Sequence, residues 1–135
     1  MKNIEEILEE LNGFSLEGDY LRRLGLLTDE ISRLEHPESA LPAMLDLLER
    51  FPEEEIGSPG PLIHTIEKCP NYEAALFQSL ERQPASLTVW MVSRLLKYDP
   101  QESYVHALTK VLQHPKASEQ TKEDAELILS WFQTY

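Results

Sequence analysis

Residues 84–100 read Pro84-Ala85-Ser86-Leu87-Thr88-Val89-Trp90-Met91-Val92-Ser93-Arg94-Leu95-Leu96-Lys97-Tyr98-Asp99-Pro100, and this stretch decides the fold. A proline bounds it at each end and nothing between them breaks a helix. At helical spacing Leu87, Met91, Leu95 and Tyr98 fall on one side. Val89, Val92 and Leu96 widen that apolar arc past half the circumference. The remaining polar sector holds Ser93, Arg94 and Lys97, with Trp90 misplaced among them. A surface helix needs an apolar stripe only about 100° wide. The spacing therefore predicts a helix covered on two sides. Trp90 is then either covered by a neighbouring helix or displayed as an aromatic anchor.

Working outward, the same 3.6-residue period recurs along the chain. Residues 2–12 carry Ile4, Ile7, Leu8 and Leu11 against Glu5, Glu6, Glu9 and Glu10, and Asn12-Gly13 stops the pattern. A second helix follows Asp19, read as its cap, with Leu21, Leu24, Leu27 and Ile31; Gly25 and Thr28-Asp29 are the points at which it could split. Pro37 opens a third, reaching about Phe51. Pro61 opens a short helix, and Asn71 is read as the cap of the next. Residues 101–114 and 117–133 complete the series. No alternating strand pattern and no hairpin turn occurs.

Pro37 and Pro52 are 15 residues apart, and the intervals between Pro70, Pro84, Pro100 and Pro115 are 14, 16 and 15 residues. Such a spacing fits a three-turn helix and a short turn. Two units make a helical hairpin of about 30 residues, near the length of known helical repeats. The chain is read as one all-α domain over residues 1–135, built as a HEAT-like stack of short antiparallel helices. An irregular helical bundle is the alternative.

The formal net charge is −12, from 24 acids and 12 bases. Residues 1–60 hold 15 of the acids and five of the bases, so most of the excess lies there. Phosphate recognition needs Lys and Arg, so the balance argues against nucleic acid and anionic membrane and suits a basic partner. Cys69 is the only cysteine, which excludes an internal disulfide and fits a reducing compartment. The first residues have no signal-peptide pattern, and no apolar run approaches a membrane span. A cytoplasmic location is what these features predict.

Phosphate-loop, dinucleotide, zinc-protease and nucleophile-elbow motifs are missing from the sequence. His64 and Glu67, three residues apart, form the one candidate catalytic or metal-ligating pair, and a metal would need further ligands. The reading is therefore no enzyme, no metal and no cofactor. Glu53, Glu54 and Glu55 stand in a loop closed by Gly and Pro, where carboxylates are held on a constrained turn.

Gly57-Ser58-Pro59-Gly60-Pro61-Leu62-Ile63-His64, Glu67-Lys68, and Thr88-Val89-Trp90-Met91 with Arg94 resemble an all-helical family of bacterial immunity proteins. These are encoded beside polymorphic or contact-dependent growth inhibition toxins. The resemblance covers about residues 50–98. It implies a protein that binds and neutralises a cognate toxin domain, of which a basic nuclease fits the acidity best. The expected partner surface is Glu53, Glu54, Glu55 and Ser58, with His64 and Trp90. A non-enzymatic helical-repeat adaptor, binding another protein or a peptide, is the alternative reading.

Overall fold

The computed structural model describes residues 2–56 and 60–132. The chain is all-helical, as its periodicity predicts, with eight α-helices and no strand among the described residues. They are α1 (Ile4–Asn12), α2 (Tyr20–Ser32), α3 (Leu41–Arg50), α4 (Pro61–Glu67), α5 (Tyr72–Arg82), α6 (Ser86–Tyr98), α7 (Glu102–Val111) and α8 (Glu119–Phe132). A 3₁₀ turn, Pro37–Ala40, leads into α3. The chain divides into two compact units, Met1–Leu47 with Ile56–Ala75, and Leu48–Glu55 with Leu76–Tyr135. The division falls within α3 and within α5.

In the first unit α1 starts at a reciprocal cap. The Asn3 side chain accepts the Glu6 amide at 2.9 Å, and the Glu6 carboxylate accepts the Asn3 amide at 3.2 Å. Ile7 and Leu11 are fully buried. The second helix is unbroken at Gly25 and Thr28-Asp29, the points at which it could have split. Thr28 is buried, and its hydroxyl donates to the Leu24 carbonyl at 3.0 Å, so the helix absorbs it without a break. Asp19 makes no side-chain cap, because its backbone (φ −84°, ψ 58°) departs from the extended cap conformation. Asn71 also departs from its expected role. It holds φ 58°, the left-handed region that Asn tolerates, and turns the chain between α4 and α5.

In the second unit α6 packs against α7 and α8. Leu87, Val89, Met91, Val92 and Leu96 are buried, together with Ser86 and Thr88. The buried arc is rotated from the expected one: Leu95 is only half-buried and Tyr98 is 85% exposed. Hydrogen bonding explains the rotation. The Thr88 hydroxyl accepts the Ala85 amide at 3.1 Å and donates to the Ala85 carbonyl at 3.0 Å. The Ser86 hydroxyl pairs with that of Thr121 at 3.2 Å. Satisfied hydroxyls can be buried at little cost, whereas orphaned ones cannot. Ser118 caps α8, its hydroxyl accepting the Thr121 amide at 3.1 Å.

Glu49, at the end of α3, ties α5 to this unit. Its carboxylate receives the Ser79 hydroxyl at 2.8 Å and two bonds from the Arg82 guanidinium at 2.8 and 3.3 Å. Its side chain is 11% exposed, so this forked pair is stronger than an ordinary surface ion pair.

Candidate functional site

The acidic turn follows α3. Glu53, Glu54 and Glu55 are all exposed. The Glu54 amide donates to the Phe51 carbonyl at 3.1 Å, which closes the turn, and the Pro52 carbonyl accepts the Ser86 amide at 2.8 Å. The first amide of α6, which has no partner within its own helix, is thereby satisfied by the turn. Ile56, next after the three acids, is buried and holds φ 45°. Both ends of the turn are thus anchored while its carboxylates stay in solvent. The positive end of the α6 dipole also lies beside them.

Ser58 lies outside the described residues. His64 is exposed on α4, whose Leu62, Ile63, Thr65 and Ile66 are buried. It belongs to the first unit, whereas Glu53, Glu54, Glu55 and Trp90 belong to the second. Glu67 is half-buried. Among the described residues no group of three or more His, Cys, Asp or Glu is placed to hold a metal ion.

Trp90 is neither fully covered nor displayed alone. It is half-buried, and its ring lies 5.8 Å from that of Trp131, tilted by 52°. Trp131 is 51% exposed, and Leu127, one turn earlier on α8, is 46% exposed. Trp90 stands one helical turn beyond Ser86, hence about 6 Å along α6 from the residue that anchors the acidic turn. Sequence reading missed Trp131. The available signal was its position outside the Ala125, Ile128, Leu129 stripe that α8 buries.

A second acidic surface lies within the first unit, between α1 and α2. Glu9, Glu10, Asp29 and Glu30 line a cleft of about 520 Å³ together with Leu26 and Leu27. Leu26 is 59% exposed. Lys2 crosses the cleft and bonds Glu30 at 3.0 Å and Glu10 at 3.6 Å. The hydrogen bond from Lys2 lowers the Glu30 pKa, and the same bond raises that of Lys2. Arg23 also lines the cleft. It donates to the backbone carbonyls of Ser15 and Glu17 and lies over the Phe14 ring at 5.0 Å. Glu9 and Glu10, which the periodicity assigns to a solvated face, thus share one cleft with Asp29 and Glu30.

The fold and these surfaces define an acidic all-helical protein with exposed carboxylate clusters and a partly exposed tryptophan pair. No helix among the described residues is long and apolar enough to cross a membrane. Comparison with known protein families, with curated proteins and with solved structures finds no match.

Proposed function

We propose that this chain is an immunity protein, a non-enzymatic inhibitor that binds a basic toxin domain and covers its active site. The observation that carries the reading is the placement of charge. Residues 1–60 hold 15 acids and five bases, and their carboxylates gather on the Glu53–Glu55 turn and in the α1/α2 cleft. The resemblance of the 57–68 and 88–94 stretches to immunity proteins supplies the kind of partner.

A nuclease concentrates Lys and Arg where it grips phosphate. A complementary acidic surface speeds encounter, to about 10⁸–10⁹ M⁻¹s⁻¹ at low salt in the best cases. It also excludes nucleic acid from the same cleft by repulsion. The anchored turn loses little freedom on binding, which favours a tight complex. Trp90 and Trp131 would add an aromatic contact of the kind that dominates interface energies.

The test is genetic and direct. The reading frame adjacent to this gene is expressed alone and together with this chain. The proposal expects growth arrest from the neighbour alone and relief on co-expression, with a 1:1 complex on purification. A toxic neighbour that this chain fails to relieve would overturn it, and so would a neighbour without toxicity.

A further inference from the structure

The cleft of about 520 Å³ in the first unit is lined by four acids, Glu9, Glu10, Asp29 and Glu30, against two bases, Lys2 and Arg23. Its walls are therefore negative by two charges. Asp29 is also paired with Arg33, at 3.1 Å. Counting that cation, which is not a lining residue, still leaves the balance negative by one. Glu9 is exposed and enters no ion pair among the described residues.

The chain seats a cation of its own in this cleft. The Lys2 ammonium lies 3.0 Å from Glu30 Oε1 and 3.6 Å from Glu10 Oε1. Its hold is weak, because ion pairs between partly exposed side chains contribute little. The other base is already spent: the Arg23 guanidinium lies 5.0 Å over the Phe14 ring and donates to the Ser15 and Glu17 carbonyls. One cation is thus replaceable and the other is fixed.

The apolar part of the cleft narrows the choice of occupant. Leu26 lines it and is 59% exposed, on a wall it shares with the carboxylates of Asp29 and Glu30. An exposed leucine beside acids suits a cation carried on an aliphatic stem, as in Lys and Arg side chains. Arg is the better match, since its guanidinium is weakly hydrated and its planar fork fits carboxylate oxygens.

We infer that this cleft receives an arginine side chain of the partner, its stem on Leu26 and its guanidinium at Glu9 and Glu10, and that Lys2 is the stand-in that holds the cleft until then. The identity of the occupant rests on the toxin-binding reading, because a protein that grips phosphate presents such arginines. Exchange of one cation for another keeps the charge of the cleft unchanged, and the released Lys2 ammonium returns to water.

The test uses the full ¹⁵N-labelled chain without any partner, so it does not depend on that reading. At low salt the chain is titrated with N-acetyl-arginine amide and with N-acetyl-citrulline amide, a neutral probe of the same shape. The expected result is saturable amide shifts confined to residues 2–30, with the arginine probe bound more tightly. Lys2→Met should tighten the arginine probe by about three- to fivefold, because the competing ammonium is gone, and Glu9→Gln should weaken it by a similar factor. A lysine that only braces the start of α1 would give weaker or unchanged binding in Lys2→Met. That result, equal binding of the two probes, shifts centred on residues 53–55, or no saturation in the millimolar range would each overturn the assignment. A chain that relieves a toxic neighbour yet gives one of those results keeps the toxin-binding reading and loses the cleft. Binding of the probe beside a harmless neighbour keeps the arginine site and loses that reading.

Discussion

The Ser86 amide donates to the Pro52 carbonyl at 2.8 Å, and this bond moors the acidic turn to the first residue of α6. Ser86→Pro removes the amide donor at a position where proline is tolerated. Ser86→Ala removes only the hydroxyl that pairs with Thr121. The difference in stability between the two variants should be about 1 kcal/mol in urea unfolding, the net worth of one hydrogen bond. Hydrogen exchange at the Glu54 amide should accelerate in Ser86→Pro alone.

Thr88 is fully buried and serves the Ala85 amide and carbonyl at once. Thr88→Val keeps the shape and orphans that buried amide. The expected loss is about 1–3 kcal/mol, read from the urea midpoint. Leu96→Ala should cost about 2–5 kcal/mol, and Leu95→Ala distinctly less, since Leu96 is 1% exposed and Leu95 only half-buried. Equal costs would put the buried arc of α6 where the apolar spacing alone places it.

That contrast shows what the chain's pattern reveals and what it conceals. Helix existence and order were legible, because apolar residues recur at helical spacing between prolines. The orientation of α6 was not. It depends on two buried hydroxyls: that of Ser86 meets Thr121, a partner set by the fold, and that of Thr88 bonds back to Ala85 at the start of the helix, which the apolar spacing does not register. The candidate surface was legible only in part. The acids of residues 53–55 are conspicuous as a run, whereas Glu9, Glu10, Asp29 and Glu30 come together only in the folded cleft that residues of α1 and α2 line. The Trp90–Trp131 pair joins residues 41 apart in sequence and has no local signature.

Gly25 lies inside α2, and a Cβ added there would meet nothing within 4 Å. Gly25→Ala should therefore stabilise the protein by about 0.5–1 kcal/mol, seen as a raised Tm. An unchanged or lowered Tm would mean that the helix needs the glycine for a reason beyond space.

Cys69 is 3% exposed, and its thiol donates to the Thr65 carbonyl at 3.5 Å. Burial pushes its pKa up, with the Glu38 charge adding to the shift. A raised thiol pKa favours the neutral form in the fold, so this stabilisation holds below the unfolded value and is lost as pH rises through the folded one. Native protein at neutral pH should react with a thiol reagent far more slowly than unfolded protein. Equal rates would place the thiol in solvent.

Lys2 and Glu30 titrate in opposite directions. The lowered Glu30 pKa contributes stability above its unfolded value that is lost as pH falls through the folded one; the raised Lys2 pKa contributes below its unfolded value and is lost as pH rises through the folded one. Lys2→Met should lower stability slightly across the neutral range, where both contributions are present, and leave the acid and alkaline edges nearly unchanged, which flattens the pH dependence. Stability curves against pH for the two proteins check it.

The central claim is that the carboxylates of the first half steer and hold a basic partner. It is tested most directly by stopped-flow association of this chain with its proposed partner, the product of the adjacent reading frame, at low and at high salt. The wild type should associate at least about tenfold faster at low salt, because screening shortens the reach of exposed charge. Glu53→Lys, Glu54→Lys and Glu55→Lys combined, or Glu9→Lys with Glu10→Lys, should slow association and flatten its salt dependence while the helical content stays intact. An association rate indifferent to salt, and unchanged in both variants, would contradict the account.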